Sequence, residues 1–205
     1  GTAYFMGLKF IVNSRVLIPR QDTETLCEQA LTFLRGRAGA EVLDLCTGSG
    51  AIAVSVARLQ PGLRVTATDI SSDALSVASR NAHLNDVYVR LLQGDLFEPV
   101  AGERFDAILC NPPYLTADDM VHLQIEVARE PRMALFGGED GLMFYRRLAH
   151  EVYRHLKPGG YALFEVGDGQ AAEVLRLMSE NAMCAASGTV KDLPGVERVV
   201  WIRSR

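Results

Sequence analysis

From residue 41 to residue 110, short apolar runs alternate with stretches of helical periodicity, and this alternation constrains the fold more than any other feature. Glu41–Leu45, Arg64–Thr68, Val87–Gln93 and Phe105–Cys110 read as strands, with Ala51–Leu59 and Ser72–Leu84 as helices between the first three. Ser71 or Ser72 caps the second helix. Strands joined through helices lie parallel, and the helices then cover both faces of one sheet. Helices are expected downstream at Ala117–Val127, Gly141–Leu156 and Gln170–Glu180. Lys157-Pro158-Gly159-Gly160 reads as a turn into a strand at Tyr161–Val166, and a strand pair near Thr189–Lys191 and Arg198–Ile202 closes the chain. Upstream, Asp22 or Thr23 caps a helix running to about Leu34. A hairpin of Leu8–Val12 and Arg15–Ile18 around Asn13-Ser14 precedes it. The expected fold is α/β: a Rossmann-like, doubly wound, mostly parallel sheet of seven strands with an N-terminal β-hairpin. Residues 1–20 form the hairpin and linker, and residues 21–205 form the domain, a length sufficient for one substantial core.

Ligands of such sheets bind outside the carboxyl ends of the strands, where strand order reverses. Four successive strand ends carry polar or glycine-rich signals. The first leads into Asp44-Leu45-Cys46-Thr47-Gly48-Ser49-Gly50, whose glycines open a G-x-G-x-x-A turn ending at Ala53. Glycines there let backbone approach a ligand, and the following helix aims free N–H groups at it. Short Gly-Ser turns also occur for purely structural reasons. The second strand ends at Asp69, about 20 residues beyond the turn, where a carboxylate can accept both hydroxyls of a ribose. A cap on the next helix would explain Asp69 as well. The third delivers Asp95 and Leu96, which suit an adenine amine and ring, or a polar turn over core apolars.

The fourth strand delivers Asn111-Pro112-Pro113-Tyr114. Asn111 Oδ1 and the Pro112 carbonyl are two acceptors on a stiff loop, and Tyr114 offers a flat apolar face. Such a set grips a planar –NH2 group, whether a side-chain amide or an exocyclic base amine. A rigid strand-exit turn would use the same residues, since Asn-Pro favours turns. A nucleotide-type cofactor turn beside an amine grip reads as methyl transfer to nitrogen.

Composition narrows the class. A net charge of −4 gives no general attraction to nucleic acid, although a local basic groove would be compatible with it. Cys27, Cys46, Cys110 and Cys184 lack CxxC spacing, and His83, His122, His150 and His155 form no ligand pattern, so no metal is expected. The cysteines read as small buried thiols in a reducing compartment, with Cys46 and Cys110 near each other at strand ends. No signal peptide and no apolar run approaching the ~20 residues of a membrane span is visible, so a cytoplasmic site without membrane partners is expected. The chain begins with Gly1, which reads as a processed or trimmed start.

The sequence resembles class I methyltransferases that use S-adenosylmethionine (AdoMet) on amino groups, and most closely the HemK/PrmC family, which methylates a glutamine of peptide-chain release factors. The resemblance rests on Phe10, Val16–Glu24, Val42–Ala53, Gly94–Phe97, Asn111–Tyr114, Glu130–Leu142 and Asp192–Arg198, in collinear order. It implies AdoMet as cofactor, held by Cys46, Thr47, Gly48, Ser49, Gly50, Asp69, Asp95, Leu96 and Asn111. Asn111, Pro112 and Tyr114 would be catalytic and would bind the protein substrate together with Pro113. The family usually has Pro where this chain has Gln21, Gly where it has Cys46, and often an aromatic residue where it has Leu96. Cys46 is tolerable if its φ is negative. The family's small N-terminal helical domain, which helps hold the protein substrate, has no counterpart here, so the chain reads as a catalytic-domain fragment or a compact relative.

The implied reaction is in-line displacement at a poor amide nucleophile, oriented by Asn111 and Pro112 without a strong base. Arg20, Thr23 and Glu24 would order substrate, close over AdoMet, or simply start the helix. Glu130 and Arg132 would serve the site or form a surface ion pair. Other readings are N-methylation of a DNA or RNA base amine, a non-catalytic AdoMet-binding module, and an NAD-dependent oxidoreductase. The last leaves Asn111–Tyr114 unexplained.

Overall fold

The computed structural model describes residues 1–125 and 127–205. Strands β1 (Thr2–Phe5) and β2 (Leu8–Ile11) pair as an antiparallel hairpin and lead to helix α1 (Asp22–Leu34). Then follow β3 (Glu41–Leu45), α2 (Ala51–Leu59), β4 (Arg64–Asp69), α3 (Ser72–Leu84), β5 (Arg90–Gln93) and β6 (Phe105–Cys110). The chain ends with α4 (Met143–Glu151), β7 (Leu156–Glu165), α5 (Ala171–Ser179), β8 (Cys184–Lys191) and β9 (Glu197–Ser204).

Seven strands form one sheet in the order β5-β4-β3-β6-β7-β9-β8, parallel from β5 to β7 and antiparallel at β9 and β8. The strand order reverses between β3 and β6, which pair with Leu45 opposite Cys110. Period-two alternation splits the buried residues between two faces. Val42, Ala67, Leu109 and Leu163 pack with Leu26 and Ala30 of α1 and with Ile52 and Val56 of α2. Leu43, Leu45, Ile108 and Phe164 pack with Tyr145 and Leu148 of α4 and with Val174 and Met178 of α5. Helices therefore cover both faces, as the alternation requires. No helix among the described residues is long and apolar enough to cross a membrane.

Several local expectations are corrected. The hairpin turns at Met6-Gly7, both at positive φ (50° and 74°), as two-residue hairpin loops favour, not at Asn13-Ser14. Arg15–Ile18 is not a strand: Asn13 Oδ1 accepts from the Arg15 N–H at 2.9 Å and bends the chain away. The cap of α1 is Gln21, which makes no side-chain capping bond, so neither Asp22 nor Thr23 caps it. Ser71 does cap α3, its Oγ accepting from the Ala74 N–H at 3.2 Å.

No α-helix spans Ala117–Val127 among the described residues; single 3₁₀ turns occupy Asp119–Val121 and Val127–Arg129, and Glu126 lies outside the description. Val121 and Ile125 are 78% and 73% exposed, so a helix there would have no apolar stripe to bury. Lys157–Gly160 does not interrupt the chain as a turn but belongs to β7, across from a register shift between Phe105 and Ala107. Backbone crowding at Gly160, where a Cβ would lie 2.9 Å from the Lys157 carbonyl oxygen, explains the glycine. The preceding helix accordingly stops at Glu151, short of Leu156.

Candidate active site

The glycine turn between β3 and α2 is organised by Asp44, which is fully buried. Its Oδ2 accepts from the Thr47 hydroxyl at 2.6 Å and from the Ala53 N–H at 3.1 Å, tying both ends of the turn to one carboxylate. Burial raises the Asp44 pKa from 3.8 to about 7, against those two bonds. Gly50 sits at φ 79°, and a Cβ there would lie 3.0 Å from the Ala78 Cβ, so its glycine lets α2 start hard against α3. Buried Asn81 of α3 donates to the Ser49 carbonyl at 2.8 Å and exchanges bonds with the backbone of Ile11, locking turn, helix and hairpin together. Thr47, Ser49 and Gly50 thus build the turn from beneath.

A cavity of about 220 Å³ opens at the carboxyl ends of β3, β4 and β6. Of the residues singled out in the sequence, Cys46, Gly48, Asp69, Asp95, Leu96, Asn111 and Pro113 line it. Thr47, Ser49, Gly50, Pro112 and Tyr114 do not. Arg15, Val16 and Leu17 close it on one side, and Pro131, Met133 and Ala134 on the other. A larger concavity of about 670 Å³ lies at the opposite end of the sheet, by Glu41, Arg64 and Phe105. None of the sequence-derived site residues reaches it, and strand amino ends are not where such sheets bind ligands.

Asp69 holds the rim of the cavity in place. Its Oδ2 accepts from the Gly48 N–H and its Oδ1 from the Ser71 N–H, both at 2.9 Å. Burial raises its pKa while those bonds oppose the rise. Asp95 is half-exposed and takes the Arg147 guanidinium at 2.7 Å, a partner that sequence reasoning missed. Cys46 has φ 57°, so the condition of a negative φ for its side chain is not met, and Leu96 has φ 47°. Both sit where glycine is the ordinary choice. The Cys46 thiol meets that of Cys110, whose pKa burial drives upward first and this contact second.

Beyond β6, Asn111 Nδ2 donates to Thr23 Oγ1 of α1 at 3.3 Å. Tyr114 turns its hydroxyl inward to Glu165 Oε1 at 3.4 Å, and its carbonyl accepts from Gln170 Nε2 at 3.0 Å. Burial raises the Tyr114 pKa, and the Glu165 charge adds to it. Gly137 allows the following loop to pack on this segment, since a Cβ there would come within 2.6 Å of the Tyr114 Cα. Glu130 is not a surface group: its side chain is 5% exposed and takes Arg20 at 2.6 Å, while Arg132 stacks on Phe136. Glu24 anchors the hairpin turn by accepting from the Met6 N–H. Sequence reasoning missed Glu165 and Gln170. Glu165 carries the signal that exposed Asp69, an acid closing an apolar strand, and it could have been found that way.

The donor set fits a nucleoside-bearing, cationic cofactor: two acids at successive strand ends, apolar Leu96 beside the second, and the backbone of the turn at Gly48, all lining one cavity. Among the described residues no cluster of side chains could hold a metal.

Comparison with known proteins shows the family. The family described as Methyltransferase small domain matches residues 23–135. The release factor glutamine methyltransferase of Geobacter sulfurreducens is 45% identical over 201 residues, covering 98% of this chain and 70% of the relative. That of Gloeobacter violaceus is 44% identical over 210 residues, covering 99% and 73%. The 16S rRNA N2 methyltransferase of Thermus thermophilus, solved with AdoMet and guanosine, superposes with a TM-score of 0.68 at 20% identity, over all of this chain and 50% of that one, and so supports the fold. With a family model matching over half of the chain and identity of this order across nearly all of it, the chain belongs to the release factor glutamine methyltransferase family.

Proposed function

We infer that this chain transfers the methyl group of AdoMet to the side-chain amide nitrogen of a glutamine in a peptide-chain release factor. The observation that carries this reading is the position of Asn111: it lines the same cavity as Gly48 and Asp69, one residue past the end of the strand that pairs with the one leading into the glycine turn. In this reading Gly48 and the Cys46 backbone receive the amino-acid part of the cofactor, Asp69 the ribose, and Asp95 with Leu96 the adenine. AdoMet supplies a methyl group already activated by its positive sulfur. Asn111 Oδ1 and the Pro112 carbonyl accept the two N–H groups of the glutamine amide and turn its nitrogen toward the cavity. Those acceptors also favour the positive charge that gathers on nitrogen, and preorganised groups of this kind are each worth about 10²–10³ in rate. The proton leaves after transfer, so no strong base is assigned. The same reading locates the reaction in the cytoplasm, where release factors work.

The test is to incubate the protein with methyl-labelled AdoMet and, separately, a release factor, plasmid DNA and ribosomal RNA, locating label by mass spectrometry. Label on a release-factor glutamine is expected. Label confined to nucleic acid would move the acceptor to a base amine. Asn111→Ala is expected to lower turnover about 10²–10³-fold while changing AdoMet affinity by less than about threefold. Unchanged turnover would remove Asn111 from the reaction, and AdoMet binding without label on any acceptor would leave a non-catalytic AdoMet-binding module.

A further inference from the structure

Behind Asn111 lies a buried polar chain that the reading above leaves without a task. Glu165 ends β7 and is 1% exposed, and its backbone carbonyl is pinned by the Tyr145 hydroxyl at 2.7 Å. Its carboxylate contacts the Thr23 hydroxyl and, through Oε1, the Tyr114 hydroxyl at 3.4 Å, while Oε2 has no hydrogen-bond partner. Thr23, 4% exposed, in turn accepts from Asn111 Nδ2 at 3.3 Å. An isolated carboxylate buried in this way is costly, and apolar packing would be cheaper.

The chain of donors gives it a purpose. A threonine hydroxyl has one proton. When that proton is committed to a carboxylate, which can only accept, the Thr23 oxygen can only accept from Asn111. The amide of Asn111 must then present Nδ2 to Thr23 and Oδ1 to the cavity. This is the orientation a glutamine N–H needs; the flipped amide would meet the substrate donor with another donor.

We propose that Glu165 is a positioning residue for methyl transfer: through the Thr23 hydroxyl it fixes which end of the Asn111 amide faces the acceptor, and through the Tyr114 hydroxyl it holds the tetrapeptide against the sheet. This rests on the reading of Asn111 as the grip for the glutamine amide. Neither Glu165 nor Thr23 lines the cofactor cavity, so the effect acts on transfer and not on AdoMet binding.

The inference carries a pH signature. Burial raises the Glu165 pKa from 4.5 to about 7, against the pull of Thr23, Arg198 and Tyr114 and with a push from Asp22. The titratable and charged groups facing it are Asp22 and Cys27 from α1, Cys110 from β6, Tyr114, Tyr145 from α4, and Arg198 from β9. Burial holds Cys27, Cys110 and Tyr145 neutral far above neutrality. Protonated Glu165 accepts more weakly and can itself donate to Thr23, which frees the hydroxyl proton for Asn111 Oδ1 and releases the amide to flip. Turnover therefore rises with pH through a limb near 7.

The experiment compares wild type with Glu165→Gln, Thr23→Val and Thr23→Ser. It measures kcat and KM on a release factor between pH 5.5 and 9, AdoMet affinity by calorimetry, and thermal unfolding. Glu165→Gln is expected to lower kcat roughly 100-fold, to change KM and AdoMet affinity by less than about threefold, and to lose the limb near neutrality. Thr23→Val should match it, and Thr23→Ser, which keeps the hydroxyl, should recover most of the loss. Wild-type kcat and pH profile in Glu165→Gln would overturn the proposal. If that variant fails to fold, equal kcat in Thr23→Val and Thr23→Ser overturns it instead. Absence of label on the release factor with wild-type protein would sink the reading of the acceptor, a result distinct from either.

Discussion

Cys46 offers a direct measure of how much the glycine turn is strained. Its φ of 57° places an L-residue in the left-handed region, at a cost of roughly 1–2 kcal/mol. Replacement by glycine removes that cost but lets the unfolded chain roam more freely, which takes back about 0.5–1 kcal/mol. Loss of the thiol, which packs against the core beside Cys110, complicates any comparison with wild type. Cys46→Ala solves this, because it loses the same sulfur and keeps the Cβ at the same φ. The difference between the Gly and Ala variants then isolates the backbone, and it should favour Gly by about 0.5–1 kcal/mol. At an ordinary position the sign is opposite, with Gly the worse by a similar amount. For a chain of 205 residues the expected gap is about 2 °C in Tm. Calorimetric melting of both variants without ligand reads it. An Ala variant melting at or above the Gly variant would refute the strain argument.

Other perturbations follow from the same geometry. Asp69→Asn keeps one acceptor but loses the charge facing the cavity and sets an amide donor against one backbone N–H, so AdoMet affinity measured by titration calorimetry should fall about 10–100-fold and Tm by about 2–6 °C. Gly50→Ala places a Cβ 3.0 Å from that of Ala78 at φ 79°, and denaturant unfolding should show a loss of about 2–3 kcal/mol. Asp44 and Glu165, both raised to about 7, hold protons in the folded protein that the unfolded chain releases near 3.8 and 4.5. Stability from these groups is therefore lost as pH rises from about 4 to 7, by a few kcal/mol in all, so the denaturation midpoint should be higher at pH 5.5 than at 8, and Asp44→Asn should flatten the difference.

The sheet was legible because its strands are buried on both faces and its helices are amphipathic, so each local pattern and the global layering agree. Glu41–Leu45 and Phe105–Cys110 have the predicted bounds for that reason. Elements defined by long-range contact were not legible. Lys157–Gly160 carries every local mark of a turn, yet Lys157 Nζ bonds Asp106 at 2.7 Å and Glu41 at 2.8 Å, and these partners hold the segment in the sheet. The hairpin turn was hidden because Met6 has no turn chemistry of its own. In the site, strand-end acids and the tetrapeptide announced themselves by type and spacing. Thr23 was ambiguous because its partner is 88 residues away in sequence, and Arg147 because only folding brings α4 to Asp95.

The pairing of Leu45 with Cys110 means that the glycine turn and the Asn111–Tyr114 segment, proposed to hold methyl donor and acceptor, leave the sheet from the two ends of one rung. Their separation is one strand spacing, about 4.8 Å, and it is set by backbone hydrogen bonds, not by any side chain. The sheet is thus a ruler as well as a scaffold. In the proposed reaction, side chains lining the cavity can drift to admit a different acceptor while the spacing of turn and tetrapeptide stays fixed. A single inserted residue in Phe105–Cys110 would instead shift the grip by about 3.3 Å and turn it to the other face. Acceptor choice is then free to evolve in the loops, and reach is not.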